Sequence, residues 1–368
     1  MTMADSNQNG QRRVASSRTG TIRVMIVDDS LIARTVLSKM IEQTSDLVLS
    51  AMANCAEDAI EKLSKVDVDI ILLDLEMPGM GGLAALPEIL DRADGAQVIV
   101  ISSLTAEGAE ATVTALSMGA ADTILKPRPS EFTSDYRSEL ATRIRAIGLS
   151  STEPRKTCFV PPEKKPRQTD TAPKPANVIA IGASTGGIHS MCQMLHDLPK
   201  YIDQPILVSQ HLPQSFMPVF ARQLEIAASR KTRIAEDGMV VMPGEIMIAP
   251  GDGHLVIALK DGRPVARIAR HTVPNGCFPS VDPMLESLAK SYDGAVLAII
   301  LSGMGRDGAL GARCVVDAGG TILVQNRETS AVWGMPRAVA EEGLASAILS
   351  PEDLALRILS SKVVTKWT

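Results

Sequence analysis

The chain of 368 residues is 45% hydrophobic and 21% charged, a balance typical of a globular protein that is long enough for two domains. Its net charge of −5 lacks the basic surplus of a nucleic-acid-binding surface, and its five cysteines are odd in number and form no C-x-x-C pair. This pattern argues against a disulfide framework or a zinc site, and we expect a cytoplasmic protein because neither a signal peptide nor a membrane-spanning apolar run is present.

The segment 150–176 holds six prolines and no apolar periodicity, so it reads as a flexible linker between two domains. Residues 21–147 carry 11 Lys and Arg against 20 Asp and Glu, whereas 177–368 are nearly balanced. The predicted organisation is a disordered tail at 1–20, one domain at 21–147, a linker at 148–176 and a second domain at 177–362.

The first domain alternates short β-branched runs with helical patterns, which is typical of a parallel α/β sheet. Predicted strands cover 23–27, 47–52, 70–73, 98–101 and 123–125, and predicted helices lie near 31–43, 57–64, 82–90, 107–118 and 134–147. This order predicts a doubly wound, flavodoxin-like sheet.

Polar side chains follow the predicted strands of this first domain. Asp28 and Asp29 come after the first strand and Asp74 after the third, while Ser102 and Lys126 end the fourth and fifth. Since carboxyl ends of parallel strands meet at one edge, converging carboxylates there favour Mg²⁺. A carboxylate between a divalent ion and a lysine is well placed to accept a phosphoryl group. Any one of these acids could instead be a helix N-cap.

The second domain repeats the alternation and adds an antiparallel pair. Predicted strands cover 178–181, 206–209, 245–248, 296–301 and 321–324, with helices at 186–196, 215–227, 282–291, 307–318 and 336–341. A hairpin of 254–259 and 263–268 turns at Asp261-Gly262. We expect a second, larger Rossmann-like α/β hydrolase domain with a β-hairpin insertion.

A serine, a histidine and an aspartate follow three predicted strands of the second domain. We expect them to meet at the carboxyl edge of its sheet, here called the rim. Ser184 lies in a glycine-flanked turn after the first strand, His211 ends the second, and Asp307 follows a Gly-Met-Gly turn. The glycine-rich turn could also hold a dinucleotide, but a histidine stands where a ribose-binding acid is expected. Each residue alone has an ordinary structural role, such as a helix cap.

The first domain closely resembles the receiver domain of response regulators. The resemblance rests on D-D-S, D-x-E-M-P-G-M, S-S-L and K-P after successive strands, with Gly81 as a small departure. It implies that Asp74 is the phosphoacceptor and that Asp28, Asp29 and Asp74 hold Mg²⁺ with the Glu76 backbone carbonyl. It also implies that Ser102 and Lys126 sense the phosphoryl group.

The second domain closely resembles the chemotaxis protein-glutamate methylesterases, which also carry a receiver. The motifs are G-A-S-T-G-G, Q-H-x-P, A-P-G-D-x-H, P-S-V-D and S-G-M-G-x-D-G-A. The resemblance implies a Ser184 nucleophile, a His211 base and an Asp307 orienting acid. Thr185 and Met304 would support the oxyanion and substrate, and the catalytic domain would need no cofactor.

The implied activity is phosphorylation-activated hydrolysis of glutamate methyl esters in methyl-accepting chemotaxis receptors, with deamidation of receptor glutamines. The implied partners are those receptors and a histidine kinase, and we expect a monomer that meets membranes only through receptor arrays. The receiver would rest against the hydrolase rim and leave on phosphorylation.

Three alternatives remain. A receiver joined to a DNA-binding domain would need a basic recognition helix, which the charge balance of 177–368 disfavours. A nucleotide-dependent oxidoreductase would bind NAD(P). The same methylesterase chemistry could serve a receptor array unrelated to motility, which sequence alone does not decide.

Overall fold

The structure, a computed structural model, describes residues 20–103, 105–126, 133–152, 175–199 and 201–360. Residues 1–19 of the predicted tail, most of the predicted linker, Pro127 and the last two residues of the predicted second domain lie outside these residues. Two parallel sheets and one antiparallel hairpin make up the strands of the described part, and no helix in it is long and apolar enough to cross a bilayer.

The first sheet has five parallel strands in the order β2-β1-β3-β4-β5, which confirms the predicted flavodoxin-like topology. Its strands are β1 Ile22–Val27, β2 Leu47–Ala53, β3 Ile70–Asp74, β4 Gln97–Ser102 and β5 Asp122–Leu125. Its helices are α1 Leu31–Glu42, α2 Ala56–Leu63, α3 Gly82–Arg92, α4 Ala106–Met118 and α5 Ser134–Thr152. Helix α5 therefore continues five residues past the predicted end of the domain at 147.

The second sheet has seven parallel strands in the order β14-β13-β12-β6-β7-β9-β8. Its strands are β6 Val178–Ala183, β7 Ile206–Gln210, β8 Thr232–Ile234, β9 Ile246–Ile248, β12 Val296–Ile300, β13 Thr321–Gln325 and β14 Ala347–Leu349. The helices are α6 Gly187–His196, α7 Met217–Ala228, α8 Val281–Ser291, α9 Ala309–Asp317, α10 Met335–Glu341 and α11 Pro351–Ser360, with a 3-10 turn at Gln214–Phe216. Strands β8 and β14 and helix α11 were not predicted from the sequence.

The predicted hairpin consists of β10 His254–Lys260 and β11 Arg263–Ala269, paired antiparallel. Its two turn residues, Asp261 and Gly262, have φ of 51° and 75°. Positive φ at both central residues is the type I′ turn that suits the twist of paired strands. The prediction of a hairpin insertion is confirmed.

Strand order places the loops that matter at one edge of the second sheet. Strand β6 pairs with β7 on one side and with β12 on the other, so the strand order reverses beside β6. Ligands of open parallel sheets bind at the carboxyl ends of strands beside such a reversal. The loops after β6, β7 and β12 carry Ser184, His211 and Asp307.

The two domains pack through helices. Helix α4 of the first domain lies against α6 and α7 of the second. Apolar side chains from both sides, including Leu116, Ile188 and Phe216, belong to one buried cluster. The edge of the first domain therefore covers part of the carboxyl edge of the second sheet.

Candidate functional site

The first domain gathers three carboxylates at the carboxyl end of its sheet, as predicted. One oxygen from each of Asp28, Asp29 and Asp74 lies within 4.8 Å of the others. Asp28 and Asp74 are buried and Asp29 is exposed. The buried Asp28 Oδ2 is neutralised by an ion pair with Lys126 rather than by a backbone donor, so the converging oxygens form a hard ligand set of the kind that Mg²⁺ takes.

Lys126 reaches this acidic cluster from the end of β5. Its Nζ lies 2.5 Å from Asp74 Oδ2 and 3.1 Å from Asp28 Oδ2. Burial disfavours the ammonium, but the hydrogen bond to Asp74 and the two negative charges outweigh it and raise the pKa of Lys126. Lys126 is therefore a fixed cation beside the predicted phosphoacceptor.

Asp74 is buried, and its two carboxylate oxygens accept hydrogen bonds from different donors. Burial raises the pKa of Asp74, opposed by the bond from Lys126 and by the Glu76 backbone N–H, which donates to Asp74 Oδ1 at 3.0 Å. Ser102 is buried at the end of β4, and its Oγ lies 3.2 Å from Thr123 Oγ1. Because Asp74 pairs with Ile101, the residue before Ser102, the predicted receiver residues lie at the same end of the sheet.

Asp307 is the most heavily hydrogen-bonded carboxylate of the second site. Its Oδ2 accepts from the Val281 backbone at 2.7 Å and faces His211 Nε2 at 2.7 Å. Its Oδ1 accepts from Ser280 Oγ and Asn275 Nδ2, each at 2.7 Å. Although burial alone would raise the pKa of Asp307, these hydrogen bonds and the facing histidine lower it below its ordinary value. Asp307 is therefore a buried carboxylate whose charged form is favoured.

His211 occupies the position that a catalytic base needs, between Asp307 and an open cavity. Its side chain is 18% exposed. Burial disfavours the charged ring, but Asp307 and the neighbouring Cys277 raise the pKa of His211 above its ordinary value. The aspartate both orients the ring and stabilises its charged form, as in a serine-hydrolase triad.

Ser184 lies in the turn between β6 and α6, on the same cavity as His211. The cavity measures about 500 Å³ and includes Ser184, His211 and Met304 in its wall. No hydrogen bond joins Ser184 Oγ to His211 in the described structure, and such bonds are often long before substrate is bound. The three predicted triad residues are thus assembled, with the His–Asp contact made and the Ser–His contact open.

The same cavity is walled on its other side by the first domain. Thr185 Oγ1 donates to Asp122 Oδ2 at 3.0 Å, and the Gly186 backbone N–H donates to the Ala121 carbonyl at 2.7 Å. Arg143 fixes Asp122 through a 3.0 Å contact. Lys126 also lines this cavity, so the space runs from the three carboxylates of the first domain to Ser184.

Sequence reasoning missed the residues that hold Asp307 in place. Asn275 and Ser280 donate to it, and the His254 ring Nδ1 accepts from the Ser280 backbone at 2.9 Å. Asp282 accepts from the Gly311 backbone at 2.8 Å, and burial raises its pKa to about 7. The motifs A-P-G-D-x-H and P-S-V-D marked this region, but neither reveals that its role is to hold the aspartate.

Two family models match the chain, "CheB methylesterase" over residues 179–358 and "Response regulator receiver domain" over 24–136. Among curated proteins, the protein-glutamate methylesterase/protein-glutamine glutaminase 1 of Paramagnetospirillum magneticum is 37% identical, over 92% of this chain and 96% of that one. The corresponding enzyme 2 of Caulobacter vibrioides is 38% identical, over 92% and 98%.

Solved structures of separate domains are also similar. The catalytic domain of Thermotoga maritima CheB methylesterase is 36% identical and matches 50% of this chain and 97% of its own, with a TM-score of 0.49. The response regulator domain of Thermotoga maritima CheB is 38% identical and matches 35% and 97%, with a TM-score of 0.32.

Proposed function

This chain belongs to the CheB methylesterase family and carries the receiver domain found in its relatives, and from that premise we propose which residues catalyse and which control the reaction. The chain is a protein-glutamate methylesterase and protein-glutamine glutaminase. We assign nucleophile, base and orienting acid to Ser184, His211 and Asp307. The observation that carries this assignment is the 2.7 Å pair of His211 and Asp307 on the cavity of Ser184.

Catalysis begins when neutral His211 takes the Ser184 proton and the alkoxide attacks the side-chain carbonyl of a receptor glutamate methyl ester. Asp307 stays charged and stabilises the imidazolium that forms. His211 then gives the proton to the leaving group, so that methanol departs from an ester and ammonia from a glutamine. Water, activated by the same histidine, releases the glutamate carboxylate and restores Ser184.

The oxyanion of the tetrahedral intermediate needs donors at the rim of the sheet. We assign this role to the Met304 backbone N–H and to the start of α6 beside Thr185. Helix α6 begins at Gly187, directly after the Ser184 turn, and a helix N-terminus favours negative charge. In support, Thr185 and Met304 line the same cavity as Ser184.

The receiver is proposed to take a phosphoryl group on Asp74 from a histidine kinase. Asp28, Asp29 and Asp74 fit Mg²⁺ because one carboxylate oxygen from each lies within 4.8 Å of the others. The ion would neutralise charge between the carboxylates and the phosphoryl oxygens. Lys126 binds Asp74 at rest and would pair with the phosphoryl oxygens afterwards, and Ser102 would follow them.

Control of the hydrolase is proposed to act by occlusion. Asp122 of the receiver accepts a hydrogen bond from the Thr185 hydroxyl, next to the proposed nucleophile. The Ala121 carbonyl of the receiver accepts one from the Gly186 N–H. A receptor segment must reach this same rim to present its ester. Phosphorylation at Asp74, at the far end of β5 from Asp122, is expected to release these contacts and open the rim.

Methanol release from methylated receptor membranes tests the assignment. Ser184→Ala is expected to abolish release and to leave Asp74 phosphorylation intact, because the two reactions lie on different domains. Ser215→Ala, which changes an exposed serine near the same cavity, is the matched control and should retain activity. Substantial methanol release by pure Ser184→Ala protein would contradict the assignment of Ser184 as the nucleophile.

A further inference from the structure

A thiol stands beside the proposed catalytic pair. One ligand atom from each of Cys277, His211 and Asp307 lies within 4.8 Å of the other two. Cys277 sits in the loop between β11 and α8 and is half-buried. The proposed reaction gives this thiol no role, since the base, the acid and the nucleophile are already assigned.

The thiol is held in place by the same side chain that holds the acid. The Cys277 backbone N–H donates to Asn275 Oδ1 at 2.9 Å, while Asn275 Nδ2 donates to Asp307 Oδ1 at 2.7 Å. A single asparagine thus fixes the loop of the cysteine relative to the carboxylate. Such outer hydrogen bonds orient ligands in metal sites and set their affinity.

Imidazole, thiolate and carboxylate are the three ligand types of zinc, and three protein ligands with one open position make an accessible zinc site. Tetrahedral bonding would place the histidine nitrogen and the carboxylate oxygen about 3.3 Å apart. His211 Nε2 and Asp307 Oδ2 now lie 2.7 Å apart, joined by a proton. The distance between these two atoms therefore has to lengthen by about half an ångström to admit the ion in place of that proton.

We propose that Cys277, His211 and Asp307 form an inhibitory site for Zn²⁺ and similar thiophilic divalent cations. The ion replaces the proton shared by His211 and Asp307 and the proton of the thiol, and no electron transfer is involved. Bound at Nε2, the ion takes the one lone pair of the neutral ring and leaves the ring proton on Nδ1, the nitrogen that would accept from Ser184, and it also neutralises the charge of Asp307. Ser184 then has no group to accept its proton, and hydrolysis stops. The inhibitory part of this inference rests on the proposed function.

The two metal-capable clusters of the described residues differ in chemistry. The receiver cluster offers only carboxylate oxygens, and the catalytic cluster offers sulfur, nitrogen and oxygen. Hard oxygen sets suit Mg²⁺, whereas a thiolate selects softer ions. Mg²⁺ is therefore expected to support phosphorylation without occupying the catalytic cluster.

Cobalt titration of the full chain tests the site without using activity. Co²⁺ bound by a thiolate gives a near-ultraviolet charge-transfer band. We expect that band at one equivalent in the wild type and its removal by one equivalent of Zn²⁺ but not by excess Mg²⁺. Cys277→Ser should lose the band, and Cys314→Ser, which changes another half-buried thiol, should keep it.

Affinity for Zn²⁺, measured by competition with a chromophoric chelator, sharpens the assignment. Asn275→Ala should weaken binding about 10- to 100-fold because it frees the loop that carries the thiol. Cys277→Ser should weaken it at least as much and should make methanol release resistant to Zn²⁺. Absence of the band in the wild type, or a band unchanged in Cys277→Ser, overturns the site.

The outcomes separate this inference from the proposed function. A thiolate–cobalt band together with full hydrolysis by Ser184→Ala would remove the catalytic assignment and leave the metal site standing. An inactive Ser184→Ala protein without any band in the wild type would do the reverse. Zn²⁺ binding at the Cys277 site without loss of methanol release would overturn the inhibitory role.

Discussion

The two sheets collect aspartates at the same topological place, the carboxyl ends of parallel strands, and use them in opposite ways. In the receiver, Asp28 and Asp74 share a single cation, and burial raises the pKa of Asp74. In the hydrolase, Asp307 is surrounded by donors and its pKa is lowered. The topology of the sheet therefore determines where the aspartates gather, whereas the hydrogen-bond donors in the surrounding loops determine whether the pKa of each aspartate is raised or lowered.

The difference between the two sites should be lost most completely when the charge of Asp307 is removed. Asp307→Asn leaves the side chain in place but favours the wrong histidine tautomer, so we expect ester hydrolysis to fall by about 10³- to 10⁴-fold. Asp261→Asn, at the exposed hairpin turn where asparagine also tolerates positive φ, is the control. Methanol release measures both. A loss below tenfold in folded Asp307→Asn protein would remove the orienting role.

The contact between the domains can be weakened without touching either proposed reaction. Asp122→Ala removes the acceptor of the Thr185 hydroxyl, and one net hydrogen bond is worth about 0.5–1.5 kcal/mol. If that bond helps hold the receiver over the rim, basal methanol release should rise about 2- to 10-fold. Asp91→Ala, an exposed aspartate at the end of α3, should change nothing. Unchanged basal release in Asp122→Ala would argue against occlusion through this contact.

The pH dependence should show the smallest effect. The raised pKa of His211 means that the charged ring persists to higher pH, and only the neutral ring can accept the Ser184 proton. The value of kcat/KM should therefore rise with pH and reach half its maximum at a pH above about 6.5, the ordinary pKa of histidine. The stabilisation from the charged His211 is present at low pH and lost as pH rises through its folded pKa. A rate that is already maximal at pH 6 would contradict this assignment.

The sequence predicts the central strands and the residues at their ends well. Buried runs such as those of β3, β6 and β12 are bounded clearly, and the rule that strand ends meet brings Asp74, Ser184 and His211 to the correct edges. The short strands β8 and β14 were missed because three half-buried residues give no periodic signal.

The residues that surround Asp307 and Thr185 could not be predicted from the sequence. Asn275 and Cys277 lie in an irregular loop, where spacing along the chain does not indicate distance in space. Their approach to Asp307 depends on how the hairpin returns the chain to α8. Asp122 had no visible role either, because its partner Thr185 lies 63 residues away on the other domain.

The coupling of the two sites is the central claim, and donor-stimulated methanol release in Asp74→Asn tests it most directly. The substitution removes a buried charge whose folded-state pKa is raised, so the receiver should remain at least as stable toward heat. With acetyl phosphate and Mg²⁺ present, the wild type should accelerate and Asp74→Asn should stay at the resting rate. Stimulation of Asp74→Asn equal to that of the wild type would contradict control of Ser184 by phosphorylation at Asp74.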